Sequence, residues 1–192
     1  MTAFSSAAFP PSQLWDYAAK IYSHDAVAEA CLRLQDRRGL DVNMILFCVW
    51  TAASGRGQLT PEEMRKGIEA GLAWQSEVVE PLRHVRRYLK GPIGPVDSRL
   101  GAELARVTAE SELYAEHMEI QVLNEIVDRP ATGSFQIQER GREAALNLQF
   151  YMGHFIEELD DTDRRDALVI WQEAFPDAEA RMIELFQPLS VA

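Results

Sequence analysis

Apolar residues fill nearly every position from Leu40 to Ala53 (LDVNMILFCVWTAA), and after Val42 only Asn43 and Thr51 interrupt them. A helix that is greasy on every side is enclosed on every side. At about 12 residues it falls short of the roughly 18–20 that span a bilayer. The pattern therefore predicts a central helix over residues 42–53 of a helical protein, wrapped by the others, with Gly55 as its stop.

Around that run the apolar positions recur at helical spacing. Ser12 caps a first helix, Gln13–Tyr22, with Leu14, Trp15, Ala18 and Ile21 or Tyr22 on one face. Asp25 opens a second, Ala26–Arg38, which turns Val27, Ala30, Cys31 and Leu34 inward and stops at Gly39. Asp41 caps the central helix. Thr60, Pro61 and Glu63 combine an N-cap, a first-turn proline and a capping-box acid. The fourth helix that they start carries Met64, Ile68, Gly71, Leu72 and Trp74. An interior proline loses a hydrogen bond and clashes with the preceding turn, so Pro81 is expected to break or kink this helix near Val79. A helical segment, Pro81–Lys90, follows.

Gly91-Pro92-Ile93-Gly94-Pro95 is the strongest breaker in the chain. Beyond it Asp97 opens a long helix to about Arg129. Leu100, Leu104, Val107, Ser111, Tyr114, Met118, Val122 and Ile126 form its stripe, and Glu103, Glu110, Glu112, Glu116 and Glu119 cover the rest. Pro130 ends it. A sixth helix spans about Phe135–Leu159, and a seventh opens at Asp161 or Thr162 and runs to Phe175. Pro176 starts an eighth, with Met182, Leu185, Phe186 and Leu189 on one face. No alternating, period-two segment appears. The expected fold is all-α: a compact bundle of about eight helices around the buried helix 42–53. Residues 1–192 read as one helical domain, with a candidate sub-boundary at 91–96 between residues 1–90 and 97–192.

Charge divides at the same place. The net charge is −11, yet residues 1–91 hold 11 Lys and Arg against 10 Asp and Glu, and residues 92–192 hold 8 against 20. An acidic half repels nucleic acid and anionic lipid over most of its surface. Cys31 and Cys48 match no zinc or redox spacing and read as buried reduced thiols, which suits the cytoplasm. The first residues, MTAFSSAAFPPSQ, lack the charge and continuous apolar run of a secretory signal.

Patterns that carry chemistry are missing. None of the four histidines has a Glu three residues before it, so the signature of a di-iron bundle is absent. His154 with Glu157 and Glu158 is its nearest approach. The run Asp160, Asp161, Asp163 and Asp166 lacks the glycine and terminal Glu of a calcium loop, and is read as acids gathered at a helix start. No nucleophile motif occurs. The sequence therefore predicts no catalytic residue, metal ligand or cofactor.

Two candidate surfaces remain. Arg83, Arg86, Arg87 and Lys90 stand at i, i+3, i+4 and i+7, a basic stripe with Leu82, Val85 and Leu89 facing the other way; Arg33 and Arg37 form a second pair. The stripe suits an acidic partner or the acidic half of the same chain. The second surface is a pocket near the start of the buried helix. Asp16, Gln35, Asp36, Asp41 and Asn43 are polar residues among apolar ones there, and Trp15, Asp36, Asn43, Trp50 and Trp74 are its candidate lining.

The block from Leu14 to Trp50, LWDYAAKIYSHDAVAEACLRLQDRRGLDVNMILFCVW, is similar to an uncharacterised, mainly proteobacterial family, a domain of unknown function. The similarity continues through PLRHVRRYLK, Pro81–Lys90, and fades beyond Gly91. It implies a bacterial, soluble, helical protein and transfers no site residue. The favoured expectation is a non-enzymatic binding or adaptor protein that engages another protein through a helical surface. Nucleic acid and membrane are disfavoured, and self-association stays open. The alternative is a small-molecule-binding protein or enzyme with an interior pocket among the tryptophans.

Overall fold

The computed structural model describes residues 11–95 and 97–186, and within that range the side chain of Met182 is not described. Residues 1–10, which carry most of the N-terminal segment discussed above, and Leu189 lie outside the described range. Helices α1 (Gln13–Tyr22), α2 (Asp25–Arg38) and α3 (Val42–Ala53) follow one another closely. Then come α4 (Pro61–Trp74), a π-helical turn (Gln75–Val79), α5 (Glu80–Leu89), α6 (Ser98–Ile126), α7 (Ile137–Phe155) and α8 (Asp161–Ala174). Because α4, the π turn and α5 are continuous, the described residues hold seven unbroken helices, one fewer than expected. The eighth helix expected from Pro176 is replaced by two 3-10 turns, Ala180–Met182 and Glu184–Phe186.

Local signals set most boundaries. Ser12 accepts a hydrogen bond from the Trp15 amide, Asp41 from the Asn43 amide, and Thr60 and Glu63 form a reciprocal capping box. Gly39 ends α2 at φ 68°, a left-handed conformation that a side chain would strain. Pro81 does not break its helix. Its ring excludes the carbonyl four residues earlier, and the chain widens into the π turn just before it and continues.

Every residue of α3 from Met44 to Ala52 is buried. Helices α1, α2, α4, α6, α7 and α8 all pack on it. One contiguous core joins Leu14, Leu34, Phe47 and Ile68 to Leu123, Leu148, Ile170 and Leu185, so apolar residues on both sides of the 91–96 break share it. Two polar groups on and beside α3 are satisfied internally. Thr51 donates to the Phe47 carbonyl at 2.8 Å, and buried Asn147 of α7 donates to the Cys48 carbonyl and accepts from the Leu59 amide. Cys31 and Cys48 are free and buried.

Helix α6 is turned about a quarter of a revolution or more from the orientation expected, although Ile126 of the expected stripe still packs on the core. Leu100, Leu104 and Met118 of the apolar stripe are 67%, 52% and 53% exposed, whereas Glu112 and Glu119 are buried with Ala115, Ile120 and Leu123. Buried carboxylates need partners, and both have them in α3, the π turn and α5, as described below. The aspartates of α8 are also tied to distant arginines. Asp160 caps the helix, Arg33 chelates the buried Asp166, and Arg37 and Arg38 converge on the fully buried Asp163.

Candidate functional site

The N-terminal end of α3 opens onto a cleft of about 570 Å³. Its walls come from α1 (Trp15, Ala18, Ala19, Tyr22), α2 (Leu32, Gln35, Asp36), α5 (Arg83, Arg86, Arg87) and α6 (Glu112, Leu113, Glu116, Ile120). Asp41, Val42, Asn43 and Leu46 supply the α3 side, and Gln75 enters from the π turn. A smaller cavity of about 340 Å³ adjoins it, lined in part by Leu72, Tyr151 and Phe155; Gln35, Asp36, Asp41, Gln75, Arg83 and Arg87 border both.

Behind the cleft floor sits a pair of carboxyl groups. Glu119 is 1% exposed, and its Oε2 accepts from Asn43 Nδ2 and Gln75 Nε2, each at 2.8 Å. Asp41 Oδ1 accepts from the Asn43 amide at 2.9 Å, and the Asp41 amide donates to the Tyr151 hydroxyl at 2.8 Å. The two remaining oxygens, Asp41 Oδ2 and Glu119 Oε1, are buried and bond to none of these donors. Both lie beside Gly71, where a Cβ would stand 3.0 Å from the first and 3.5 Å from the second. Burial raises both carboxyls above the usual carboxylate range; the Asp41 charge and hydrogen bond push Glu119 up further. Two like charges cannot both ionise in such a place, so the pair shares one proton between those inward-facing oxygens. The network fastens α3, the π turn, α6 and α7 together at one point.

Two of the four basic-stripe residues are ion-paired within the chain. Arg83 spends its three nitrogens on Glu112 Oε1 (2.9 Å), Glu80 Oε1 (2.8 Å) and Glu116 Oε1 (3.2 Å). Arg86 chelates Glu112. Burial alone would raise the Glu112 carboxyl, but these two arginines reverse it and hold it below its ordinary value; at Glu116 burial prevails and the carboxyl is raised. Arg87 is exposed at the cleft edge with no partner among the described residues, and Lys90 sits at the outer end of α5.

Of the candidate pocket residues, Trp15, Asp36 and Asn43 border the cleft. Trp50 lies in the far half of α3 under the Arg56 guanidinium, 4.6 Å from its ring centre, and Trp74 donates its indole N–H to the Ala115 carbonyl. The lining is therefore not a tryptophan box. Gln75 and Glu119 were not singled out from the sequence. The only signal for Glu119 was its place on the same helical arc as Ala115, Ile120 and Leu123. No group of three or more His, Cys, Asp or Glu among the described residues is arranged to hold a metal ion, and no described helix is long and apolar enough to cross a membrane.

The family described as "Protein of unknown function (DUF2390)" matches residues 13–123. The chain belongs to that family. The match continues past the Gly91–Pro95 break, where the similarity had been expected to fade. It takes in every residue that lines the larger cleft, from Trp15 to Ile120, together with Glu119. The family's segment thus ends inside α6, after the turns that face the cleft. No curated protein and no solved structure matches the chain.

Proposed function

We propose that the protein is a non-enzymatic binding protein that seats a small organic ligand in the cleft at the N-terminal end of α3. The observation that carries this reading is a preformed cavity of about 570 Å³ with an apolar wall (Trp15, Ala18, Val42, Leu46) set against a polar and charged one that includes Asn43, Gln75, Arg83 and Glu112. Ligand sites are generally concave, apolar, and roughly 300–1,000 Å³ in volume. The carboxyl pair supports binding over catalysis, because its two unpartnered oxygens are buried beside Gly71. A neutral apolar fluorophore, N-phenyl-1-naphthylamine, should bind with one-to-one stoichiometry, and Ala19→Trp, which fills the exposed cleft wall, should abolish that binding without lowering the melting temperature. Absence of stoichiometric binding, or binding untouched by Ala19→Trp, would reject the reading.

A second reading, engagement of a macromolecule, is favoured by the exposed apolar row on α6. Leu100 and Leu104 are exposed there with Val107 half-buried beside them, Val85 on α5 is exposed between the half-buried Leu82 and Leu89, none of these borders either cavity, and α5 buries no residue. No charge interrupts either row, so the same two-helix arm from a second copy completes a four-helix bundle. Sedimentation of the wild type and of Leu100→Glu with Leu104→Glu tests it: a dimer that becomes a monomer supports this reading, and a wild-type monomer ends it.

A further inference from the structure

Resting on the cleft reading above, we infer that the ligand is a zwitterion, a small molecule with a carboxylate and a cationic amine on an apolar body, of the kind formed by an apolar amino acid or a short peptide.

Most charges at the cleft are already spent. All three Arg83 nitrogens are taken by glutamates, and Arg86 is chelated by Glu112. These contacts occupy Glu112 and reach Glu116. The Asp41–Glu119 pair has its two unpartnered oxygens buried beside Gly71. Two charged side chains are left over. Arg87 and Asp36 are exposed, have no hydrogen bond or ion pair among the described residues, and both border the junction of the two cavities.

A guanidinium presents a planar fork that matches a carboxylate, and a carboxylate accepts from an ammonium. One positive and one negative group, both uncommitted, at the edge of a cavity with one apolar wall complement a ligand that carries both signs. An anion alone would leave Asp36 facing it, and a cation alone would face Arg87. The wall formed by Trp15, Val42 and Leu46 then takes the apolar body, with Asn43 and Gln75 at the floor.

Titration calorimetry with phenylalanine, N-acetylphenylalanine and phenylalaninamide tests this directly. Charge-assisted hydrogen bonds set the scale: removing either ligand charge should weaken binding about tenfold or more. Arg87→Gln should erase the preference for phenylalanine over its amide, and Asp36→Asn the preference over the N-acetyl form. Both positions are exposed, so both variants should melt as the wild type does. If the capped forms bind as well as phenylalanine, or the variants leave the discrimination intact, the inference fails. The same holds if phenylalanine does not bind while N-phenyl-1-naphthylamine does, and in that case the cleft reading survives. If neither binds, the cleft reading itself falls.

Discussion

Replacing Glu119 with Gln isolates the shared proton of the buried pair. The carboxyl is 1% exposed and keeps its proton in the fold because of burial and the neighbouring Asp41 charge. In the unfolded chain a glutamate ionises near pH ~4.3. Above that pH the folded state therefore holds one more proton than the unfolded state. The contribution of a group raised in this way is fully present below its unfolded pKa and is lost as the pH rises toward its folded value. The slope for one proton is about 1.4 kcal/mol per pH unit, so from about pH 5 to pH 8 the wild type forfeits roughly 4 kcal/mol through this site. A glutamine side chain does not titrate. Its carbonyl can keep the Asn43 and Gln75 hydrogen bonds, and its N–H takes the proton's place toward Asp41 Oδ2. Urea unfolding of both proteins across this range should give a difference curve that climbs by about 1.4 kcal/mol per pH unit, with the variant the more stable at pH ~8. Glu143, also raised by burial, titrates in both proteins and cancels. Parallel curves would show that Glu119 is ionised in the fold and would refute the shared proton.

Three further substitutions probe the framework. Val49→Asp places an unpaired charge at a fully buried position of α3 and should cost at least ~4 kcal/mol, seen as loss of the helical circular dichroism signal; melting within about a degree of wild type would contradict the enclosure of that helix. Arg83→Glu sets a like charge against Glu112, Glu116 and Glu80 and should cost about 3 kcal/mol, less in high salt; a salt-independent loss would point to packing instead. Alanine normally improves a helix interior over glycine by about 0.5–1 kcal/mol. Gly67→Ala should approach that gain because the flexible end of Met44 can give way, whereas Gly71→Ala presses on the Asp41–Glu119 pair and should destabilise; equal melting shifts for the two would dismiss the crowding at Gly71.

The cleft was legible in fragments. Asp36, Asp41 and Asn43 stand out as polar residues beside an apolar run, and their neighbourhood follows from local spacing. Glu119 and Gln75 do not stand out, because each is polar on a helix that otherwise reads as having its polar side outward. Their significance appears only when α6 and the π turn are set against α3, 76 and 32 residues away along the chain. The basic stripe shows the same limit from the other side. Its spacing on α5 was correct, yet spacing says nothing about whether Glu112 lies opposite.

What the amino-acid sequence determined by itself is the set of helices and their ends. Capping at Ser12, Asp41 and Thr60, the glycine stop at Gly39 and the enclosed run from Met44 to Ala52 depend on groups within a turn or two of each other, and hydrogen-bond geometry over that distance leaves few choices. Tertiary structure alone decided which face of α6 is buried, how the chain passes Pro81, and which acids meet which arginines across more than a hundred residues, as Arg33 and Asp166 do. A carboxylate can be buried wherever a partner compensates its lost hydration. That partner is chosen by packing, and nothing in the local sequence encodes it.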